Sequence, residues 1–255
     1  MFVLVEVSRH IVERSGGAGV ELFQAKGTTR AIGGAMLIVH GNQGGSLLGA
    51  KEVVDSGALV RISSRLNITA AAVSQPGFGA SEGPSDFCGP STQQAIIAAL
   101  SLLQEQPSID PRRIVLFGNS RGAVASAMVA TKFPDLRAVI LSSGAYDLRE
   151  VYLNSFEGLR RAIRNEAGLS IKAFLARSAL HHAHKIQSEI LLLHGRHDDR
   201  APVAQAETFY NALSAAGVPV TFNVFECGHR IPRSLSNEVI LPFLEGVFEN
   251  TESIH

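Results

Sequence analysis

The stretch IVLFGNSRGAVASAMVA, residues 114 to 130, decides how this chain is read. An apolar run from Ile114 to Phe117 stops at Gly118, and Ser120 stands between Gly118 and Gly122. A short apolar run ended by glycine reads as a buried strand. The tail with Ala123, Ala125 and Ala127 reads as a helix packed close to a sheet. A strand that becomes a helix this abruptly forces the residue at the bend into a strained conformation. Side chains two positions before and after would collide there, and Gly118 and Gly122 remove them. The bend lifts Oγ of Ser120 out of the packed interior. It also turns the N–H of Arg121 into the same space, at a helix N-terminus where negative charge is favoured. This is the G-x-S-x-G nucleophile elbow.

Outward from the elbow, apolar runs alternate with helical patterns. Strands are expected near 2–8, 20–25, 35–40, 69–74, 113–118, 137–142, 189–194 and 219–226. The inner ones (MLIVH, IVLFG, AVILS, ILLLH) are nearly continuous in apolar residues, the pattern of strands covered on both faces. Helices are expected near 48–65, 91–106, 120–132, 203–216 and 234–249. Pro242 requires the last of these to kink or to start later. The alternation implies an α/β fold: a mostly parallel eight-stranded sheet with helices on both faces. SGGAG at 15–19 reads as a hairpin turn, so the sheet opens with an antiparallel edge. The span 146–187 exceeds a simple crossover and reads as a small helical insertion over one edge of the sheet, in the place of a lid. A crossover helix with a long loop is the plainer reading. No repeat or linker divides the chain, so residues 1–255 are read as one domain.

A serine nucleophile needs a base, a group that orients the base, and donors for the developing oxyanion. Each belongs at the C-terminal end of a strand. His229, in VFECGHRIP, follows the strand at 219–226 and is the base. His181, His182 and His184 lie before a strand, on the wrong side of the sheet, and no acid or cysteine flanks them to make a metal site. Asp198, in ILLLHGRHDDRAP, follows a buried strand and can orient His229; Asp199 competes with it. The oxyanion donors are the backbone N–H groups of Arg121 and of Asn42 or Gln43, the latter in the turn HGNQGG, residues 40–45. That turn lacks the spacing and the lysine of a phosphate loop, and its His40 and Asn42 side chains read as braces for the turn.

The rest of the composition excludes rather than selects. With 23 basic and 23 acidic residues there is no surplus for nucleic acid or an anionic membrane. Apolar residues, 45% of the chain, suffice for a large core. No run reaches the ~18 apolar residues of a membrane span, and MFVLVEV is too short for a signal segment. Cys88 and Cys227 fit a reducing compartment, so a cytoplasmic location is expected.

The order Ser120, Asp198, His229 is that of the α/β-hydrolases. Together with DPRRIVLFGNSRG, the run from RSALHHAHKIQSEILLLHGRHDDRAP and CGH near the end, it resembles that superfamily over nearly the whole chain. Within it the chain is most similar to the prolyl-oligopeptidase-like and dienelactone-hydrolase-like serine hydrolases. The resemblance implies the α/β-hydrolase fold, and it takes the first carboxylate after HGxx as the acid, favouring Asp198. It places Arg200 where some peptidases contact substrate. It also places Phe78 and Phe87 in a loop, 75–90, that lines such sites. The chain departs from the peptidases in lacking room for their large propeller and in carrying Ala123 where a second glycine is usual. It departs from dienelactone hydrolases in carrying serine for cysteine.

The expected activity is hydrolysis of carboxylic esters through an acyl-enzyme, with no metal and no organic cofactor, on a small-molecule acyl substrate. A peptidase, lactonase, thioesterase or C–C hydrolase uses the same machinery. A non-catalytic binding protein on this scaffold would need no base, acid and donors together. Chain length of the acyl group and oligomeric state are not legible.

Overall fold

The strands form where short β-branched and aliphatic runs end in turn residues, and helices close over both faces of them. In the computed structural model, which describes residues 5–27 and 32–249, they make one sheet. The strands are β1 (Val7–Glu13), β2 (Gly19–Ala25), β3 (Gly33–Val39), β4 (Thr69–Val73), β5 (Ile109–Asn119), β6 (Ala138–Ser142), β7 (Glu189–Gly195) and β8 (Val220–Phe225). Their order is β1-β2-β4-β3-β5-β6-β7-β8. From β4 to β8 all neighbours are parallel, and β2 alone runs antiparallel to both its neighbours.

Between the strands lie α1 (Lys51–Asp55), α2 (Ala58–Leu66), α3 (Pro90–Gln104), α4 (Arg121–Ala130), α5 (Leu148–Asn154), α6 (Glu157–Ala167), α7 (Ile171–Leu175), a 3-10 helix (Ala179–Lys185), α8 (Val203–Ala215) and α9 (Arg233–Glu249). Alternate residues of each inner strand enter two separate cores. Ala35, Leu37 and Val39 of β3 pack with Ile96 and Leu100 of α3, Met128 of α4 and Phe209 of α8. Met36 and Ile38 pack with Leu59 of α2 and Leu244 and Val247 of α9. The α/β-hydrolase architecture is thus present, with β5 in the middle of the sheet carrying Ser120 at its end. Among the described residues no helix is long and apolar enough to cross a membrane.

Three expectations are corrected. The first strand is Val7–Glu13 rather than 2–8, and residues 1–4 lie outside the described residues. An edge strand covers one face only, so the alternating VSRHIVE serves it better than a continuous apolar run. The turn fixes the register, with Glu13 opposite Gly19 and the N–H of Gly17 bonded to the carbonyl of Arg14 at 2.9 Å. The helix expected over 48–65 is two helices, because Gly57 takes a φ of +70° between them. The last helix does not start late: α9 begins at Arg233 and carries Pro242 inside it.

Candidate active site

The elbow has the strain that its glycines announced. Ser120 sits at φ 52° and ψ −117°, a region that side chains other than glycine's rarely enter. Its N–H bonds the carbonyl of Ser142 on β6 at 2.7 Å, tying the bend to the sheet. A Cβ on Gly118 would lie 2.5 Å from the carbonyl oxygen of Gly122, and one on Gly122 would lie 2.2 Å from that of Val39. Both positions are therefore closed to any side chain. The hydroxyl stands clear at the start of α4.

Three loops, after β5, β7 and β8, bring their residues to one place. Ser120 Oγ lies 2.8 Å from His229 Nε2. His229 Nδ1 lies 2.8 Å from Asp198 Oδ2 and 3.0 Å from Oδ1. Asp198 is buried, whereas Asp199 is exposed, so the structure separates the two competing acids. The N–H groups of Arg200 and Ala201 each donate to Asp198 Oδ1 at 2.9 Å. Burial alone would push the Asp198 carboxyl up. Hydrogen bonds from His194, His229, Ala201 and Arg200 outweigh it and hold the group well below the usual carboxylate range. A hydroxyl so placed can pass its proton to Nε2 while Nδ1 keeps its proton toward the acid.

Arg121 and Asn42 both line the cavity with Ser120. Neither backbone N–H has a protein acceptor among the described residues. Arg121 opens α4, where intrahelical acceptors are missing in any helix. The His40 side chain braces the turn before Asn42: Nδ1 donates to the Gly41 carbonyl at 2.8 Å, and Nε2 accepts from the Gln75 N–H at 3.2 Å.

The cavity over Ser120 measures about 410 Å³. Its wall is mainly apolar, from Val124 of α4 and from Leu148, Val151, Phe156 and Leu159 in the first part of the 146–187 segment. Phe87 and Arg200 line the cavity. Phe78 does not: it is buried behind Arg121, its ring 5.0 Å from that of His40 and 5.7 Å from the guanidinium. The Phe87 ring also faces this guanidinium, at 4.8 Å. An arginine next to the nucleophile needs a cover for its stem, and Phe78 supplies part of it.

Two features escaped the sequence reading. Glu166 of α6 enters the cavity wall and pairs with the Arg121 guanidinium, while also accepting from the Ser85 hydroxyl and the Phe87 N–H. No local pattern announces a contact between residues that far apart. His194, at the end of β7, lies 3.2 Å from Asp198 Oδ2. Its four-residue spacing from Asp198 was visible, but nothing in the string marks which histidine near Asp198 turns inward. Cys88 beside the cavity is a free thiol, pushed up to about 12 by burial, which keeps it protonated and unreactive.

The model of the prolyl oligopeptidase family matches residues 88–242, a span that includes Ser120, Asp198 and His229. The chain belongs to the prolyl oligopeptidase family. Its eight-stranded sheet, with Ser120 at the end of β5, is the α/β-hydrolase scaffold. An uncharacterized peptidase of Bacillus subtilis, YtmA, is 27% identical over 54% of this chain and 55% of its own length. The α/β-hydrolase domain-containing protein WAV2 of Arabidopsis thaliana is 30% identical over 68% of this chain and 59% of its own. The chain therefore spans little more than half the length of these relatives. Among solved structures, a puromycin-hydrolyzing peptidase of Mycobacterium tuberculosis superposes with a TM-score of 0.85 at 22% identity, over 96% of this chain and 40% of that one. The Pyrococcus furiosus esterase Pf2001 superposes at 0.71 with 16% identity, over 94% of this chain and 91% of that one. At these identities the two structures speak for the fold.

Proposed function

We propose that the chain is a serine peptidase that cleaves short peptides or aminoacyl amides with an apolar acyl side chain. The observation that carries this reading is the 2.8 Å contact between Ser120 Oγ and His229 Nε2 at the foot of a mainly apolar cavity. Family membership moves the weight from the ester bond expected from sequence to the amide bond. The peptidases YtmA of B. subtilis and of M. tuberculosis support the same choice.

In this reading Ser120 Oγ attacks the acyl carbon while His229 Nε2 takes its proton. Asp198 holds Nδ1–H and stabilises the imidazolium. The N–H groups of Arg121 and Asn42 receive the oxyanion. Collapse of the tetrahedral species breaks the C–N bond, and the amine leaves with the proton from Nε2. Water, deprotonated by the same nitrogen, then attacks the acyl-enzyme and releases the acid and Ser120.

Ester hydrolysis is the second reading, favoured by the P. furiosus esterase, which matches over nearly its whole length. The test is a panel of alanyl, leucyl and phenylalanyl anilides, dipeptidyl anilides and aryl acetates, run on the wild type and on Ser120→Ala. Amide turnover that falls by about 10⁴-fold or more in the variant is expected. Turnover of the acetates alone would leave the esterase reading standing, and an undiminished rate in Ser120→Ala would sink both.

A further inference from the structure

His194 is the penultimate residue of β7 and is fully buried, with 0% of its side chain exposed. Its Nε2 faces two oxygens: the carbonyl of Ala201 at 2.7 Å and Oδ2 of Asp198 at 3.2 Å. A carbonyl and a carboxylate only accept. Nε2 must therefore carry a proton, because a bare lone pair at these distances would repel both. Nδ1 is buried and has no partner among the described residues. A second proton there would be a buried donor with no acceptor. The ring is thus the Nε2–H tautomer, bonded to the Ala201 carbonyl and with its positive edge against Oδ2 of Asp198.

We propose that His194 is a positioning residue that locks the carboxylate of Asp198 for its work on His229. The inference rests on the reading of Asp198 as the triad acid. With His194 in place, Oδ2 receives two imidazoles, His194 at 3.2 Å and His229 at 2.8 Å. Oδ1 receives the N–H groups of Arg200 and Ala201 at 2.9 Å. Both oxygens are held from the protein side, so the carboxylate cannot rotate away when the His229 ring moves its proton. The same N–H grips Ala201, whose own N–H holds Oδ1, so the turn after Asp198 closes on itself through one imidazole. His194 lines no part of the cavity and cannot meet substrate. Its influence passes through Asp198.

A double-mutant cycle separates that influence from a merely structural one. His194→Phe keeps a ring and removes the donor, and His194→Gln keeps an N–H donor. His194→Phe is expected to lower kcat by about 10- to 100-fold with KM nearly unchanged. His194→Gln is expected to restore most of the rate. In an Asp198→Asn background His194→Phe is expected to change kcat by less than about twofold, because the group it serves is gone. Equal losses in both backgrounds, or no rescue by glutamine, would overturn the proposal. His194→Met repeats the cycle should the phenylalanine chain fail to fold, with folding checked by circular dichroism. Failure of the triad reading shows separately: Asp198→Asn alone would then keep the wild-type rate.

Discussion

Glu166 on α6 and Arg121 on the nucleophile elbow form an ion pair in the wall of the cavity, a charged anchor beside the apolar contacts that Leu159, Ala162 and Ile163 of α6 make with the core. Ile163 is the one buried residue of α6. The Arg121 side chain is 9% exposed and that of Glu166 is 24% exposed. Removing the carboxylate's charge leaves the nearly buried guanidinium with the neutral Ser85 hydroxyl in place of an anion beside it. The penalty for a fully buried pair is discounted here because Glu166 opens on the cavity. Glu166→Gln is expected to lower stability by about 1–3 kcal/mol in urea denaturation and to raise KM more than it lowers kcat. Burial pushes the Glu166 carboxyl up, but the bond from Arg121 wins and holds it below its ordinary 4.5. A depressed carboxylate contributes stability above its unfolded value and loses it as the pH falls through the folded one. The gap between wild type and variant should therefore be widest near neutrality and close below about pH 4.5. A gap independent of pH would show that the carboxylate's charge is not what anchors α6.

Gly122 and Gly246 are opposite cases of one residue type. A Cβ on Gly122 meets the Val39 carbonyl oxygen at 2.2 Å and that of His40 at 2.7 Å, both backbone atoms of the sheet end that cannot yield. Gly122→Ala is expected to cost about 3 kcal/mol or more, or to prevent folding. A Cβ on Gly246, inside α9, meets nothing within 4 Å. Gly246→Ala is expected to stabilise by about 0.5–1 kcal/mol. Thermal melts of the two purified variants check both directions, and a folded, wild-type-stable Gly122→Ala would contradict the close packing at the elbow.

Asp198 and Asp199 allow a sharp comparison. Asp198 reaches His229 Nδ1 at 2.8 Å, while Asp199 is exposed. Asp198→Asn keeps the shape and loses the charge that fixes the imidazole tautomer, so kcat should fall by about 10⁴-fold. Asp199→Asn should change kcat by less than about twofold. The check is steady-state kinetics of both variants on one substrate. A larger loss from Asp199→Asn would reverse the assignment.

The elbow was legible because its geometry is local: strand, strained serine and two glycines lie within a few residues of each other. The strand count and the two-sided cover were legible for a related reason, since continuous apolar runs such as Ile190 to Leu193 have no other place to go. His229 and Asp198 were legible only through the requirement that a serine have a base and an acid. Phe78 was misplaced and Glu166 was missed because both depend on where one arginine side chain folds. That is a tertiary choice among Phe78, Phe87, Ser85 and Glu166, and no spacing in the string encodes it. The first strand was misplaced because apolarity outweighed alternation at an edge that has only one covered face.

His40 makes stability depend on pH from the opposite side of the site. Its ring is buried against Phe78, accepts from the Gln75 N–H and donates to the Gly41 carbonyl, so it is built to stay neutral. Burial lowers its pKa below the ordinary 6.5, with the nearby Arg121 charge acting in the same direction and the Gly41 bond opposing. A histidine depressed in the folded state favours folding above its unfolded value, and that contribution fades as the pH falls toward the folded one. His40→Gln cannot titrate. It should be less stable than wild type by about 1–3 kcal/mol at pH 8, from lost packing and an unmet Gln75 N–H. Below about pH 6.5 the difference should shrink, because only the wild type then suffers from protonation of the unfolded chain. Urea titrations of both proteins from pH 8 down to pH 5 measure the difference directly. A difference that widens on acidification would mean that the folded protein welcomes the imidazolium, contrary to the environment of the ring.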